Sequence, residues 1–230
     1  MRRLSAPSRF RPLLRPRALS TAPTAHDAEA QIHALQLDTR AHLERHDFPR
    51  ALAAAEECLA ASEAHFGKKH AASAAALNNV AQVHRAAGRP ADAVPHMEAA
   101  LAAYEEVLGD SHASTATALA NLGQLRQALA LGAKGMERVA GLEAAKGLLD
   151  AALAARRRAY GARHAQVGVS LYLCASVARL QKRYDAAEGL LREAVALLRA
   201  AAAEGGVAAA AAAAPAAARA RRLRARSPPR

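Results

Sequence analysis

Small apolar residues return at helical spacing along most of the chain. Ala93, Met97, Ala100, Leu101 and Tyr104 follow the 3.6-residue period that lays side chains along one helix face. The same stagger recurs at Ala51, Ala55 and Cys58, at Ala145, Leu149, Ala152 and Leu153, and at Ala187, Leu191, Ala194 and Val195. Turn signals stand before three of these stretches: Asp47-Phe48-Pro49, Gly88-Arg89-Pro90 and Arg183-Tyr184-Asp185. A proline in the first helical turn is tolerated because its missing N–H has no intrahelical partner to lose. Asp92 follows Pro90 and complements the positive end of the helix it opens.

A second pattern joins these stretches. Phe66-Gly67-Lys68-Lys69-His70, Leu108-Gly109-Asp110-Ser111-His112 and Tyr160-Gly161-Ala162-Arg163-His164 share the order apolar, Gly, any, any, His. Seven residues after each histidine comes a leucine, Leu77, Leu119 or Leu171, which reads as the opening of another helix. The chain is therefore predicted to be an internal repeat of about four helix pairs, near 31–66, 73–108, 115–160 and 167–200. His70 and His112 are 42 residues apart, but His112 and His164 are 52 apart. The extra residues fall at 128–141, where Gly132, Gly135 and Gly141 suggest a loop, or lengthened helix ends joined by one.

These residues resemble the tetratricopeptide repeat family. The unit length, the Leu-Gly-x-x-His joint and the Leu-x-Asn-Leu-Ala helix start are similar to its kinesin-light-chain class. Ala71, Ala113 and Ala165 stand where that class usually has proline after the histidine. The resemblance implies an all-α fold, a right-handed superhelix or solenoid whose first helices line a concave groove, and it carries no motor function. It also implies that a groove asparagine holds an extended ligand backbone. Asn79 and Asn121 match that asparagine, while Leu173 takes its place in the fourth pair. Gln82, Arg85, Gln124, Gln127, Tyr172 and Arg179 follow on the same helix faces and complete the expected partner-binding set.

Composition sharpens this picture. Apolar residues make up 52% of the sequence, yet it holds three Phe, four Tyr and no Trp, so alanine carries most of that fraction. Alanine is the best helix former and strand formers are scarce, so no sheet is expected. The formal charge of +12 is concentrated at the ends. Residues 1–26 contain Arg2, Arg3, Arg9, Arg11, Arg15 and Arg17 with no acid, and residues 201–230 contain six arginines and Glu204. The middle is close to neutral, which argues against a polycationic nucleic-acid surface.

Residues 1–26 have the composition of a transit peptide, with Arg17-Ala18-Leu19-Ser20 resembling a mitochondrial cleavage site. The expected address is mitochondrial, in the matrix or on the matrix side of the inner membrane, with the chloroplast as the alternative. Likeness to mitochondrial members of the repeat family adds an expected role in assembly or maintenance of a respiratory complex. Residues 201–230, alanine runs followed by Arg219 to Arg226, read as a low-complexity disordered tail. An alternative function would have this tail grip RNA or an anionic membrane surface.

Catalytic chemistry finds no assembled constellation. Ten histidines are present, but none forms a compact ligand pattern, and His70, His112 and His164 occupy equivalent joints that stacking would separate. They are expected to cap or pack the joints. Cys58 and Cys174 lie within apolar helical stretches and read as core residues. Arg156-Arg157-Arg158 is explained by the negative helix end and solvent. No enzyme activity, cofactor, metal or small-molecule substrate is expected, and the leading function is a scaffold that holds a partner peptide or helix.

Overall fold

A computed structural model describes residues 25–203 and 207–224. The expected transit peptide lies outside them except for its last two residues. Four antiparallel pairs follow one another: α1 (Ala25–Glu44) with α2 (Phe48–Phe66), α3 (Ala71–Ala86) with α4 (Pro90–Leu108), α5 (Ala113–Gly132) with α6 (Gly135–Tyr160), and α7 (Ala165–Leu180) with α8 (Tyr184–Ala203). A further helix, α9 (Val207–Arg224), ends the described chain, and there is no strand among the described residues.

The joints explain the repeated histidine. His70, His112 and His164 are the N-caps of α3, α5 and α7. In each, Nδ1 accepts the backbone N–H two residues on, from Ala72, Ser114 and Gln166, at 3.1 Å. The cap satisfies one of the donors that a helix start leaves without an intrahelical partner. These helices thus begin six residues before Leu77, Leu119 and Leu171, where the leucines alone had placed their starts. The first turns are built of small residues, which carry no apolar period to read.

The glycine three residues before each histidine ends the preceding helix. Gly67, Gly109 and Gly161 have φ of 85°, 80° and 81°. Side chains with a Cβ rarely adopt that conformation. Each glycine donates its N–H to a carbonyl four residues back, on Glu63, Glu105 and Arg157. Ser73 Oγ and Thr115 Oγ1 then donate to the carbonyls of Gly67 and Gly109 at 2.7 and 2.8 Å, tying the next helix to the turn.

Packing within a pair is made at small residues. Ala51, Ala93, Ala145 and Ala187 occupy the same position in the four second helices, and each is fully buried. One helical repeat further on, Cys58, Ala100, Ala152 and Ala194 do the same. The facing first helices answer with glycine. A Cβ on Gly123 would come within 2.8 Å of Leu149 Cγ, and one on Gly168 within 3.0 Å of Leu198 Cγ. Large side chains fill the space between crossings: Met97, Leu149 and Leu191 at one level, Leu125, Leu171 and Leu198 at others, all fully buried.

The extra residues at 128–141 resolve into helix. α5 runs on to Gly132 and α6 starts at Gly135, so Ala133 and Lys134 alone make the turn. The two lengthened ends pack closely, since a Cβ on Gly141 would lie 2.9 Å from Ala130 Cβ. Of the two expectations for this insertion, lengthened ends joined by a short turn is the one realised.

The expected disordered tail at 201–230 needs correction over its described part. Residues 201–203 finish α8, and Val207–Arg224 forms α9 packed along it. Ala213 and Ala216 are buried against Leu198, beside Val195, Ala201 and Val169. Low complexity misled because alanine, which carries little apolar surface, is also the residue that best favours helix and permits close helix contact. Residues 225–230 lie outside the described residues.

The glycines give a paired test. Gly141→Ala forces a methyl into Ala130, whose own Cβ cannot swing aside, and is expected to cost about 1 kcal/mol. Gly147→Ala lies mid-helix with nothing within 4 Å of its new Cβ. It is expected to stabilise the chain by about 0.5–1 kcal/mol by reducing unfolded-chain entropy. Urea unfolding followed by circular dichroism reads both, and the same sign for the two would contradict the packing described for α5 and α6.

Candidate partner-binding groove

Among successive first helices, α1 packs against α3, α5 against α7 and α7 against α9, and α3 is linked to α5 by a side-chain hydrogen bond. Second helices stand further apart, bridged by long side chains such as Arg157 Nη2 to Glu193 Oε1 at 2.9 Å. An array whose first helices converge while its second helices diverge curves with the first helices inside. The concave wall is therefore α3, α5 and α7.

Three side-chain hydrogen bonds cross that wall from one first helix to the next. Asn121 Nδ2 donates to Asn78 Oδ1 at 2.9 Å, joining α5 to α3. Ser176 Oγ lies 3.0 Å from Gln127 Oε1 and 2.7 Å from Leu173 O of its own helix, so its single O–H is shared between a contact to α5 and one within α7. Arg219 Nη1 donates to the Tyr172 hydroxyl at 2.8 Å, joining α9 to α7. The asparagine pair uses one donor of Asn121 and one acceptor position of Asn78. It keeps amide donors on Asn78 and an acceptor oxygen on Asn121, the complement that an extended backbone needs for its C=O and N–H.

The expected groove residues lie on α3, α5 and α7, and few of them stand alone. Asn79, Gln82, Asn121, Gln124, Gln127, Tyr172 and Arg179 are half-buried and Arg85 is exposed. Gln82 Oε1 accepts from both Nε and Nη2 of Arg85, at 2.9 and 2.6 Å. Gln124 Nε2 donates to its own helix at Ala120 O, 3.3 Å away. Arg179 holds the repeat position of Arg85, but Ser176 replaces the glutamine one turn earlier, and the buried Nε of Arg179 has no acceptor. Asn78 was missed by sequence. The repeat register singled out Asn79 and Asn121 as equivalents, whereas the stagger between helices brings Asn121 against the neighbouring Asn78.

Asn78 also lines a cleft of about 200 Å³ with Tyr104, Ala113, Ser114, Thr117 and Tyr160. Tyr160 is held at its rim by stacking on the capping His164, with ring centroids 4.5 Å apart. Ser114 and Thr117 add hydroxyls on the α5 side. The cleft continues the concave wall toward the joint between the second and third pairs.

Charge is sorted by helix. The twenty acids of the sequence include none in α3, α5 or α7, although α2, α4, α6 and α8 all carry them. Arg85, Arg126 and Arg179 lie on the acid-free helices, with Arg126 paired to Glu98 of α4. The wall is thus positive without internal compensation at Arg85 and Arg179.

Away from the wall the polar groups are structural. Arg156 was expected to face solvent with Arg157 and Arg158, but it is buried at 6% exposure. It takes a position filled in other second helices by Ser62, Tyr104 and Leu198. Its guanidinium donates to Ser170 Oγ at 2.9 Å and to Gln166 O at 3.4 Å, fastening α6 to α7. Burial lowers its pKa from the usual arginine value. Cys58 and Cys174 are buried. Burial, then the neighbouring Asp150, pushes the Cys174 thiol up to about 12, so it stays protonated and unreactive. Among the described residues no group of three His, Cys, Asp or Glu is placed to hold a metal, and no helix is long and apolar enough to cross a membrane.

Comparison with known proteins agrees with this architecture. A family model described as tetratricopeptide repeat matches residues 40–106, 72–131 and 138–200. No curated protein sequence matches the chain. Among solved structures, BtubC (BKLC) from P. vanneervenii superposes with a TM-score of 0.63 at 18% identity, covering 89% of this chain and 86% of that one. A putative kinesin light chain of Podosopora anserina with nearly identical TPR-like repeats gives 0.60 at 18% identity, over 87% of this chain and 97% of the other. At that identity the likeness is one of fold.

The asparagine pair can be measured by a double-mutant cycle. Asn78→Ala, Asn121→Ala and the double variant are expected to give a coupling energy of about 0.5–1.5 kcal/mol in urea unfolding. Additive effects would mean that the two amides do not meet in solution.

Proposed function

The chain belongs to the tetratricopeptide repeat family, and on that premise we propose that it is a non-enzymatic scaffold holding an extended, acidic segment of a partner protein in its concave groove. The observation that carries this reading is the sorting of charge: three adjacent wall helices without a carboxylate, presenting Arg85 and Arg179 beside amides with spare hydrogen-bonding capacity. An extended backbone supplies C=O and N–H to Asn78 and Asn121. Its carboxylates find Arg85, which the Gln82 amide oxygen orients, and the guanidinium of Arg179. Charge-assisted hydrogen bonds of this kind are stronger than neutral ones, and arginine presents them as a planar fork. A lysine-rich segment would meet uncompensated like charge along the same wall.

Fluorescence anisotropy with labelled peptides of equal length, one acid-rich, one neutral and one lysine-rich, tests the proposal. The acid-rich peptide is expected to bind best, with affinity falling as salt rises. Arg85→Glu and Arg179→Glu are each expected to weaken it by about tenfold or more. Equal binding of all three peptides would sink the reading.

The setting we propose is the mitochondrion, from the arginine-rich, acid-free residues 1–26, with a respiratory-complex subunit as the partner. A fluorescent fusion of the full chain is expected to enter mitochondria and to lose that address when residues 1–26 are deleted. Plastid or cytosolic signal from the full chain would remove the organelle and the respiratory partner while leaving the groove untouched.

A further inference from the structure

α9 is more than a trailing helix. It packs along α8 as α3, α5 and α7 pack along the second helix before each of them, and it touches α7 as α3 touches α1. It therefore stands where the first helix of a fifth pair would stand. Like α3, α5 and α7 it has no acid. Its contact with α7 also repeats the side-chain bond that links first helices along the concave wall. Arg219 donates to the Tyr172 hydroxyl at 2.8 Å, and its guanidinium carbon lies 5.4 Å from the centre of that ring.

Two further observations place Arg219 on the working side of the helix. Ala213, Ala216 and Ala217 form the buried face of α9, with Ala216 packed on Leu198, and Arg219 lies at the edge of that face beside Tyr172. Arg219 is itself half-buried rather than extended into solvent, whereas Arg222, one turn on, is exposed. The tyrosine bond leaves most of the guanidinium donors of Arg219 for another acceptor, since the group carries five N–H bonds.

Resting on the reading of the groove as a site for an acidic segment, we infer that α9 forms the C-terminal end wall of that groove and that Arg219 is a binding residue for the same segment. Tyr172 is a positioning residue. Its hydroxyl and ring face hold the guanidinium at the end of the row begun by Arg85 and continued by Arg179. The occupant is a carboxylate-bearing peptide long enough to run from α3 to α9.

The test uses the full chain and the acid-rich labelled peptide at low and moderate salt, with the melting temperature of every variant measured alongside. Arg219→Ala is expected to weaken binding by about five- to tenfold at low salt and less at moderate salt. Arg219→Lys, which keeps the charge and loses the fork, is expected to recover part of that loss. Tyr172→Phe keeps the ring face and loses the hydroxyl, and is expected to weaken binding by about twofold. Arg222→Ala removes the same net charge from the exposed side and is expected to leave binding unchanged.

Equal losses from Arg219→Ala and Arg222→Ala would reduce the effect to net charge and overturn the inference. A lowered melting temperature with unaltered binding in Arg219→Ala would make the residue a structural cap. Tighter binding in Arg219→Ala would make α9 a plug rather than a wall. In each of these cases the wild-type chain still prefers the acid-rich peptide, so the groove reading survives. Absence of that preference in the wild type would end both together.

Discussion

Everything in this fold depends on two helices being able to cross closely at each pair. The crossing works because one side chain per level is almost absent: alanine at 51, 93, 145 and 187 on the second helices, and glycine at 123 and 168 on the first. A crossing at small residues brings backbones near enough for the larger side chains above and below, such as Leu149 and Leu198, to fill the remaining space at close-packed density. A core poor in aromatics is the direct consequence. It also explains why the chain stacks laterally instead of closing into a globule. Each pair buries one face inside itself and needs the next pair to bury the other.

The periodicity of these small residues made the fold legible before any coordinates. Ala93 recurs 42 residues behind at Ala51 and 52 ahead at Ala145, and Ala100 is matched by Cys58 and Ala152 at the same offsets; a register that survives an insertion reports packing constraints, not local preference. The joints were legible for the same reason, since only glycine accepts the φ of Gly67 and only a capping side chain suits position 70. What escaped was decided by tertiary context. Arg156 looked like a solvent-facing neighbour of Arg157, and became a buried clamp because Ser170 and the Gln166 carbonyl wait opposite it. The asparagine contact was only half legible: the repeat placed Asn79 and Asn121 in register, but which asparagine meets which depends on the stagger between α3 and α5, and sequence carries no measure of that stagger.

Charge sorting and the hydrogen-bond crossings belong to one design problem. The concave wall must be polar enough to hold a ligand, yet its helices approach too closely to hide uncompensated donors. Asn78 with Asn121, and Ser176 with Gln127, satisfy part of each other across the gap. They tie neighbouring first helices together and leave part of each amide's hydrogen-bonding capacity unused. Neutral amides and hydroxyls suit this double role, because a carboxylate in their place would need a cation from the same wall and would cancel the charge that distinguishes one guest from another. The acids on α2, α4, α6 and α8 are then the complement, keeping the outer surface near neutral and available to ion pairs such as Arg157–Glu193.

The packing of α9 against α8 follows from the same physics. The outer face of α8 presents Val195 and Leu198 that a following pair would have covered. Covering them with a long aliphatic helix would extend the apolar core and invite another unit. α9 covers them with Ala213 and Ala216, which bury the face while adding little apolar surface of their own. Alanine cannot also supply specificity, so the side of α9 that turns toward α7 carries an arginine, fixed by the one tyrosine on the concave wall of α7. A helix that buries the face of α8 and reaches α7 through Arg219 serves two constraints with one segment. That is why its sequence looks simple without being structureless.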